Sequence, residues 1–186
     1  MYKLCKTEQS ALRQRQLEQG LLQLMQTKRY EEISISDLCQ RMGMPRKTFY
    51  RYFDGKDGAL FALLDHTMLE FYQHGLREPN AGTALGDLGR FFVFWREHAS
   101  LLSALKRSGL SGILVERATA FAVKERLMPD HIRVWPAEQQ QIALSFTLSG
   151  LMAMILQWHE QDFKPPADKM TKMAAAVLTK PLVELK

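Results

Sequence analysis

Two short helical segments joined at a single glycine, the second basic on one side and aromatic on the other, limit what this chain can fold into more than any other feature. They run Ile33-Ser-Ile-Ser-Asp-Leu-Cys-Gln-Arg-Met-Gly-Met-Pro-Arg-Lys-Thr-Phe-Tyr-Arg-Tyr-Phe53. Ser34 is placed to start the first segment, because its hydroxyl can accept from the backbone N–H of Asp37 while Asp37 reaches back, a variant of the capping box. Leu38 and Met42 give that helix its buried face. Gly43 ends it, as the residue that tolerates a left-handed backbone. Pro45 opens the second segment, predicted over Pro45–Tyr52, since a first helical turn has no use for the missing proline N–H. Residues three and four apart share a helix face. Phe49 and Phe53 therefore fall together with Tyr52 beside them, while Lys47, Tyr50 and Arg51 fall on another face, flanked by Arg46 and Thr48.

Those two faces suit a helix-turn-helix, with the aromatic side packed inward and the basic side turned to nucleic acid. Lys and Arg neutralise phosphates and release counterions. Arg can also bond a guanine edge, and a Thr methyl can touch a thymine methyl. A Tyr hydroxyl can bond phosphate. Lys56, at the start of the following helix, adds a charge beside a set of backbone donors. The charge distribution agrees. The formal net charge is +5, and residues 1–60 hold 11 Lys/Arg against 7 Asp/Glu, so most of the excess lies near the N-terminus. A lone basic cluster is usually only a solvated helix face. Here the cap, the glycine turn, the basic outer face and the aromatic inner face occur together, which favours DNA binding.

The remaining pattern is helical throughout, without period-2 alternation or a hairpin turn between apolar runs. The spacing predicts helices over about 7–27, 34–42, 45–52, 56–73, 83–106, 109–127, 137–161 and 167–180. Gly75 to Gly82 reads as a linker, and Met128-Pro129, Trp135-Pro136 and Lys164-Pro165-Pro166 as breaks. Gly20 is unfavourable inside the first helix. The expected fold class is all-α: a three-helix, helix-turn-helix DNA-binding domain over residues 1–55, then a helical ligand-binding and dimerisation domain over 56–186.

The run from Ile33 to Cys39, followed by Gly43 to Lys56 with Thr48-Phe-Tyr-Arg-Tyr-Phe53 at its centre and Leu60 beyond, resembles the N-terminal domain of the TetR/AcrR-type transcription regulators. The resemblance covers about residues 7–65. It implies a cytoplasmic homodimer joined through its C-terminal helices, a palindromic operator of double-stranded DNA, and repression released by a small-molecule effector. It carries phosphate contact onto Tyr50 and Lys56, and base or groove contact onto Arg46, Lys47, Thr48 and Arg51. It places Ser34 at a helix start lying against the DNA backbone. Pro45 departs from the pattern, since family members usually carry a capping side chain there. Family members also usually have alanine where Gly20 stands and glycine where Arg29 stands.

Beyond residue 65 the resemblance holds only in outline. Phe91, Phe94, Trp95 and His98, with Phe121, Phe146, Met152 and Trp158, are candidates to line a ligand pocket; the competing reading is that such a stripe is plain core. Ser145, Ser149 and Ala153 lie four apart with Gly150 adjacent, and small residues in a line let another helix come close. With Met170, Met173 and Val177 on the last helix they are candidates for a dimer seam; a helix of the same chain filling that groove is the alternative. His66, Glu70 and His74 share a helix face, read as a wet face rather than a metal site. The segment between Glu138 and Glu160 carries no formal charge, but its apolar part is short for a bilayer, and it reads as a buried helix with no membrane partner. Cys5 and Cys39 form no disulfide framework or metal set and read as reduced cytosolic thiols. No cofactor or enzyme motif is present: there is no glycine-rich phosphate loop, no His-Glu-x-x-His and no Gly-x-Ser-x-Gly. The leading expectation is a ligand-released repressor. The alternatives are an activator or co-activator with a protein partner, or a helical ligand-binding or adaptor protein that has lost DNA binding.

Overall fold

The computed structural model describes residues 1–75, 83–125 and 133–179. The predicted break at Met128-Pro129 and most of the predicted linker at 75–82 fall outside the described residues. Among those described, the helices are α1 (Glu8–Met25), α2 (Ile35–Arg41), α3 (Arg46–Tyr52), α4 (Lys56–Glu70), α5 (Ala84–Glu97), α6 (Ala99–Arg107), α7 (Ser111–Lys124), α8 (Ala137–Glu160) and α9 (Ala167–Thr179). A 3-10 turn at Tyr30–Glu32 precedes α2, and a π-helical turn at Phe71–Gly75 follows α4. No strand occurs among the described residues, only one isolated antiparallel bridge between Tyr2 and Phe53. The fold is all-α, as the periodicity required.

Helix ends follow local chemistry. The Thr7 hydroxyl accepts from the Ser10 N–H at 3.2 Å and starts α1. Thr83 starts α5 in the same way through Gly86. Pro136, rigid and extended, stands just ahead of α8. One predicted helix, 83–106, is two. The chain leaves helical geometry at His98, whose ring Nδ1 lies 2.8 Å from the Phe94 carbonyl oxygen, the same oxygen the His98 backbone N–H reaches.

The described chain forms two compact units. The first contains Met1–Thr67 with Ser103–Leu114, and the second contains Met68–Leu102 with the chain from Val115 onward. In the first, Leu17, Leu21 and Met25 of α1 are fully buried beside Leu38, Phe49, Phe53, Leu60 and Leu64. Gly20 has a packing reason: a Cβ there would lie 2.4 Å from Met42 Sδ and 3.1 Å from Leu38 Cδ1, so the missing side chain lets α2 sit close on α1. In the second unit α5 packs chiefly along α9. Trp158 is buried edge-on to Phe92 and Phe163, and its indole N–H donates to the Pro165 carbonyl at 2.6 Å.

Helix α3 has seven residues, too few to be stable alone, so Phe49 must hold it to the rest of the first unit. Replacing Phe49 by Ala is expected to destabilise the protein by about 3–5 kcal/mol, read as a lower urea midpoint.

Candidate nucleic-acid interface

Two terminal motifs fix the geometry of α2 and α3. At the start of α2 the Asp37 N–H donates to Ser34 Oγ at 3.0 Å, and the Ser34 N–H donates to Asp37 Oδ2 at 2.9 Å, closing the predicted box. These bonds, the backbone one first and the Ser34 hydroxyl second, hold the Asp37 carboxyl below its ordinary value. At the end of α2, Gly43 has φ +60°. Its N–H donates to the Gln40 carbonyl and the Met44 N–H to the Cys39 carbonyl, a Schellman closure. The chain then turns through Pro45, which stands one residue earlier than expected. With ψ 145° it is the extended cap of α3 rather than its first helical residue, and its carbonyl accepts from the Thr48 N–H at 2.8 Å.

From that turn α3 presents the two faces its spacing dictates. Phe49 and Phe53 are wholly buried, with ring centroids 5.1 Å apart, and Tyr52 lies beside them. Arg46, Lys47, Tyr50 and Arg51 are exposed, and Thr48 is half-buried at their edge. The Arg46 guanidinium donates to the Tyr50 hydroxyl at 3.3 Å and lies 6.0 Å from its ring centre. The surface is cationic, with aromatic and hydroxyl groups set among the charges. Ser34 is exposed at the start of α2.

Lys56 is placed differently. It is half-buried, and its ammonium donates to the carbonyls of Tyr30 at 2.5 Å and Ile33 at 2.6 Å while lying 4.2 Å from the Tyr30 ring centre. Burial lowers its pKa from the usual lysine value. The Tyr30 hydroxyl donates to Asp57 at 2.5 Å. Burial first, and this bond second, push the Tyr30 phenol far above its ordinary value, so it stays a neutral donor. The Tyr30 N–H donates to Ser108 Oγ at 2.9 Å. Tyr30, Asp57 and Ser108 thus belong to the support of α2. The only sequence signal for Tyr30 was an aromatic residue just before the Ser34 cap.

Most of the other aromatic candidates gather in one cluster, and one does not. Phe91, Phe94, Trp95 and His98 do come together, joined by Phe71. Phe71 stands 5.2 Å from Phe94 and 5.9 Å from Phe91, and Phe94 stacks on His98 at 4.0 Å. Phe121 meets Tyr72 at 6.4 Å, and His98 Nε2 is 3.9 Å from Glu70. Met152 and Trp158 are buried, and Trp158 continues the same cluster, because its partner Phe92 stands 5.6 Å from Phe91. Phe146 is apart from this cluster and 72% exposed; with Glu138, Gln141, Ile142, Ser145 and Ser149 it lines an open groove of about 540 Å³ along α8.

Helix α8 is therefore not the buried helix expected. It is long and apolar enough to cross a membrane by length and composition, yet Leu144, Leu151, Met152, Ile155 and Trp158 are buried while Ile142 and Phe146 are exposed. Of the seam candidates, Ser149, Ala153, Met173 and Val177 are exposed and Ser145 is half-buried, whereas Met170 is buried in its own unit. His66 is half-buried against α1, its Nδ1 2.9 Å from the buried Glu18 carboxylate, and the His74 side chain lies outside the described residues.

Residues 20–63 match the family model of the bacterial regulatory proteins of the tetR family. Over 42 residues the chain is 45% identical to the HTH-type transcriptional regulator EthR of Mycolicibacterium smegmatis, a match spanning 23% of this chain and 19% of that protein's length. Two solved structures share the fold across nearly the whole chain. The fatty acid degradation regulator FadR from Bacillus halodurans is 14% identical with TM-score 0.62, covering 96% of this chain and 98% of its own. The TetR family repressor AlkX from a Dietzia species is 22% identical with TM-score 0.52, covering 89% and 94%.

Replacing Ser34 by Ala is expected to cost about 1 kcal/mol in thermal or urea unfolding. The Asp37 carboxyl has a depressed pKa when folded, so its contribution is present above the unfolded carboxylate value and is lost as pH falls through the folded one. Wild type is expected to melt above Asp37→Asn at neutral pH, with the gap shrinking in acid.

Proposed function

We propose, from its N-terminal helix-turn-helix and its all-helical fold, that the chain is a TetR-type regulator: a dimeric, DNA-binding transcription repressor released by a small ligand. The observation that carries the reading is the outer face of α3, where Arg46, Lys47, Tyr50 and Arg51 are exposed together while Phe49 and Phe53 anchor the opposite side. Lys47 and Arg51 read base edges or phosphates of a palindromic operator, Tyr50 and Arg46 contact the backbone, and Thr48 touches bases at the edge of the groove. Ser34 brings the N-terminus of α2 against a phosphate. Lys56 acts from beneath, setting the approach to α2 through the Tyr30 and Ile33 carbonyls. Residues 1–55 carry the DNA contacts, and residues 56–186 carry regulation and dimerisation.

Two features support the regulatory part. The aromatic group of Phe71, Phe91, Phe94 and His98 lies next to a π-helical turn, a local irregularity often found at functional sites. It is the candidate effector site. The end of α6 is part of the first unit: Arg107 donates to the Gln26 carbonyl, and Ser108 accepts from Tyr30, whose carbonyl Lys56 holds. Homodimerisation is supported by the exposed Ile142 and Phe146 beside the small Ser145 and Ser149 on α8. An apolar groove next to small side chains suits close approach of the same helix from a second copy.

Selection of bound duplexes from a random pool is expected to recover a two-fold symmetric site. On that site, Lys47→Ala or Arg51→Ala is expected to weaken binding by roughly 1–3 kcal/mol each; unchanged binding by the double variant sinks the assignment of this face. Phe146→Glu is expected to move the protein from dimer to monomer in sedimentation, and a wild type that is already monomeric at working concentration defeats the α8 seam.

A further inference from the structure

The residues ahead of α1 are built onto the end of the DNA-reading helix. The Lys3 N–H donates to the Tyr52 carbonyl at 2.9 Å and the Asp54 N–H to the Met1 carbonyl at 3.1 Å, with Tyr2 and Phe53 forming an antiparallel bridge between them. Side chains pin the arm from its other side. The Tyr2 hydroxyl donates to Asp65 at 2.8 Å, and the Gln14 amide donates to the Lys3 carbonyl at 3.2 Å. Gly58 leaves the room: a Cβ there would lie 2.4 Å from the Met1 carbonyl oxygen, a backbone atom, so a side chain at this position would push the arm from its seat. The arm is thus seated in a fixed register along α3.

That seat puts Lys3 where α3 has carbonyls to satisfy. A helix ends with unpaired C=O groups and a partial negative charge. The Lys3 backbone takes the Tyr52 carbonyl, and its ammonium donates to the Tyr50 carbonyl at 3.2 Å. Tyr50 is 42% exposed on the cationic face of α3. The Lys3 side chain is itself exposed, and the Asp54 carboxylate stands 3.8 Å from its ammonium, also exposed. An exposed pair at that distance is weak, and an ammonium has three donors, so a phosphate oxygen can join or displace the carboxylate with a shorter charge-assisted bond.

We propose that the docked arm is part of the DNA-contacting surface, with Lys3 a phosphate-binding residue at the C-terminal end of α3. The inference rests on the DNA-binding reading above and adds to it a contact from outside the helix-turn-helix. Docking makes the contact pre-organised, because the backbone of Lys3 is already ordered by its bonds to α3 before DNA arrives.

The test measures affinity for a mixed-sequence duplex of about 30 base pairs while salt is varied from about 50 to 200 mM. Each phosphate contact contributes about 0.9 to the slope of log affinity against log salt. Lys3→Gln keeps the backbone bonds and a side-chain donor for Tyr50 but removes the charge. It is expected to lower the slope by about 0.9 for each docked arm and to weaken binding roughly three- to tenfold at the lower salt, with an unchanged melting temperature. Lys3→Arg is expected to restore the slope. Gly58→Ala displaces the arm without altering any charge, and is expected to lower the slope as Lys3→Gln does. A wild-type slope and affinity in either Lys3→Gln or Gly58→Ala, with the wild-type protein binding the duplex, overturns this inference alone. Failure of the wild type to show salt-dependent binding overturns the DNA-binding reading and this inference with it.

Discussion

The burial of Phe49 and Phe53 is the interaction on which the cationic outer face of α3 depends. A seven-residue helix has no stability of its own, because the first turn of any helix fixes more backbone than its hydrogen bonds offset. Helix α3 exists because one side of it is driven out of water, both phenylalanine rings being completely enclosed. Once that side is fixed, the other has no freedom. Arg46, Lys47, Tyr50 and Arg51 must project outward, since residues on a helix keep their angular relation. The cationic face is thus a consequence of aromatic packing on its reverse.

Backbone groups at both ends of α2 and at the end of α3 are satisfied from several directions. Ser34 and Asp37 close the start of α2, the Gly43 turn closes its end, and the Lys3 backbone and ammonium close the end of α3. Beneath the approach to α2, the Lys56 ammonium binds two carbonyls at once, and the Tyr30 hydroxyl returns a bond to Asp57 on the same turn of α4. These bonds run between segments distant in sequence, so they set the angle at which the two short helices are presented, whereas the local caps set only where each begins and stops.

Helix α8 shows how one composition admits two environments. An uncharged run suits burial in a core, crossing a bilayer, or pairing with another copy. The run is divided: Leu151, Met152, Ile155 and Trp158 are enclosed, while Ile142 and Phe146 stand in solvent. The aromatic residues of the same region divide too. Trp158, Phe92, Phe91, Phe71, Phe94 and His98 pack in one continuous chain of rings, and Phe146 has no place in it. Hydrophobicity names the residues that avoid water without naming the neighbour that provides the shelter.

What the sequence by itself determined lies within a few residues along the chain. Period 3.6 gave the helices and therefore the all-α class; Ser34, Gly43 and Pro45 marked the turn; the spacing from Arg46 to Phe53 assigned the inner and outer faces of α3. Each of these is a local property, fixed by backbone sterics and by which side chains share a helix face. Tertiary structure decided the contacts that span tens of residues. It turned Lys56 inward to Tyr30 and Ile33, tied Tyr30 to Ser108 across 78 positions, seated Lys3 on Tyr50 across 47, and left Phe146 exposed. No periodicity encodes such pairs, because a lysine able to reach a phosphate is equally able to reach a carbonyl. Which it meets depends on where the folded chain brings it.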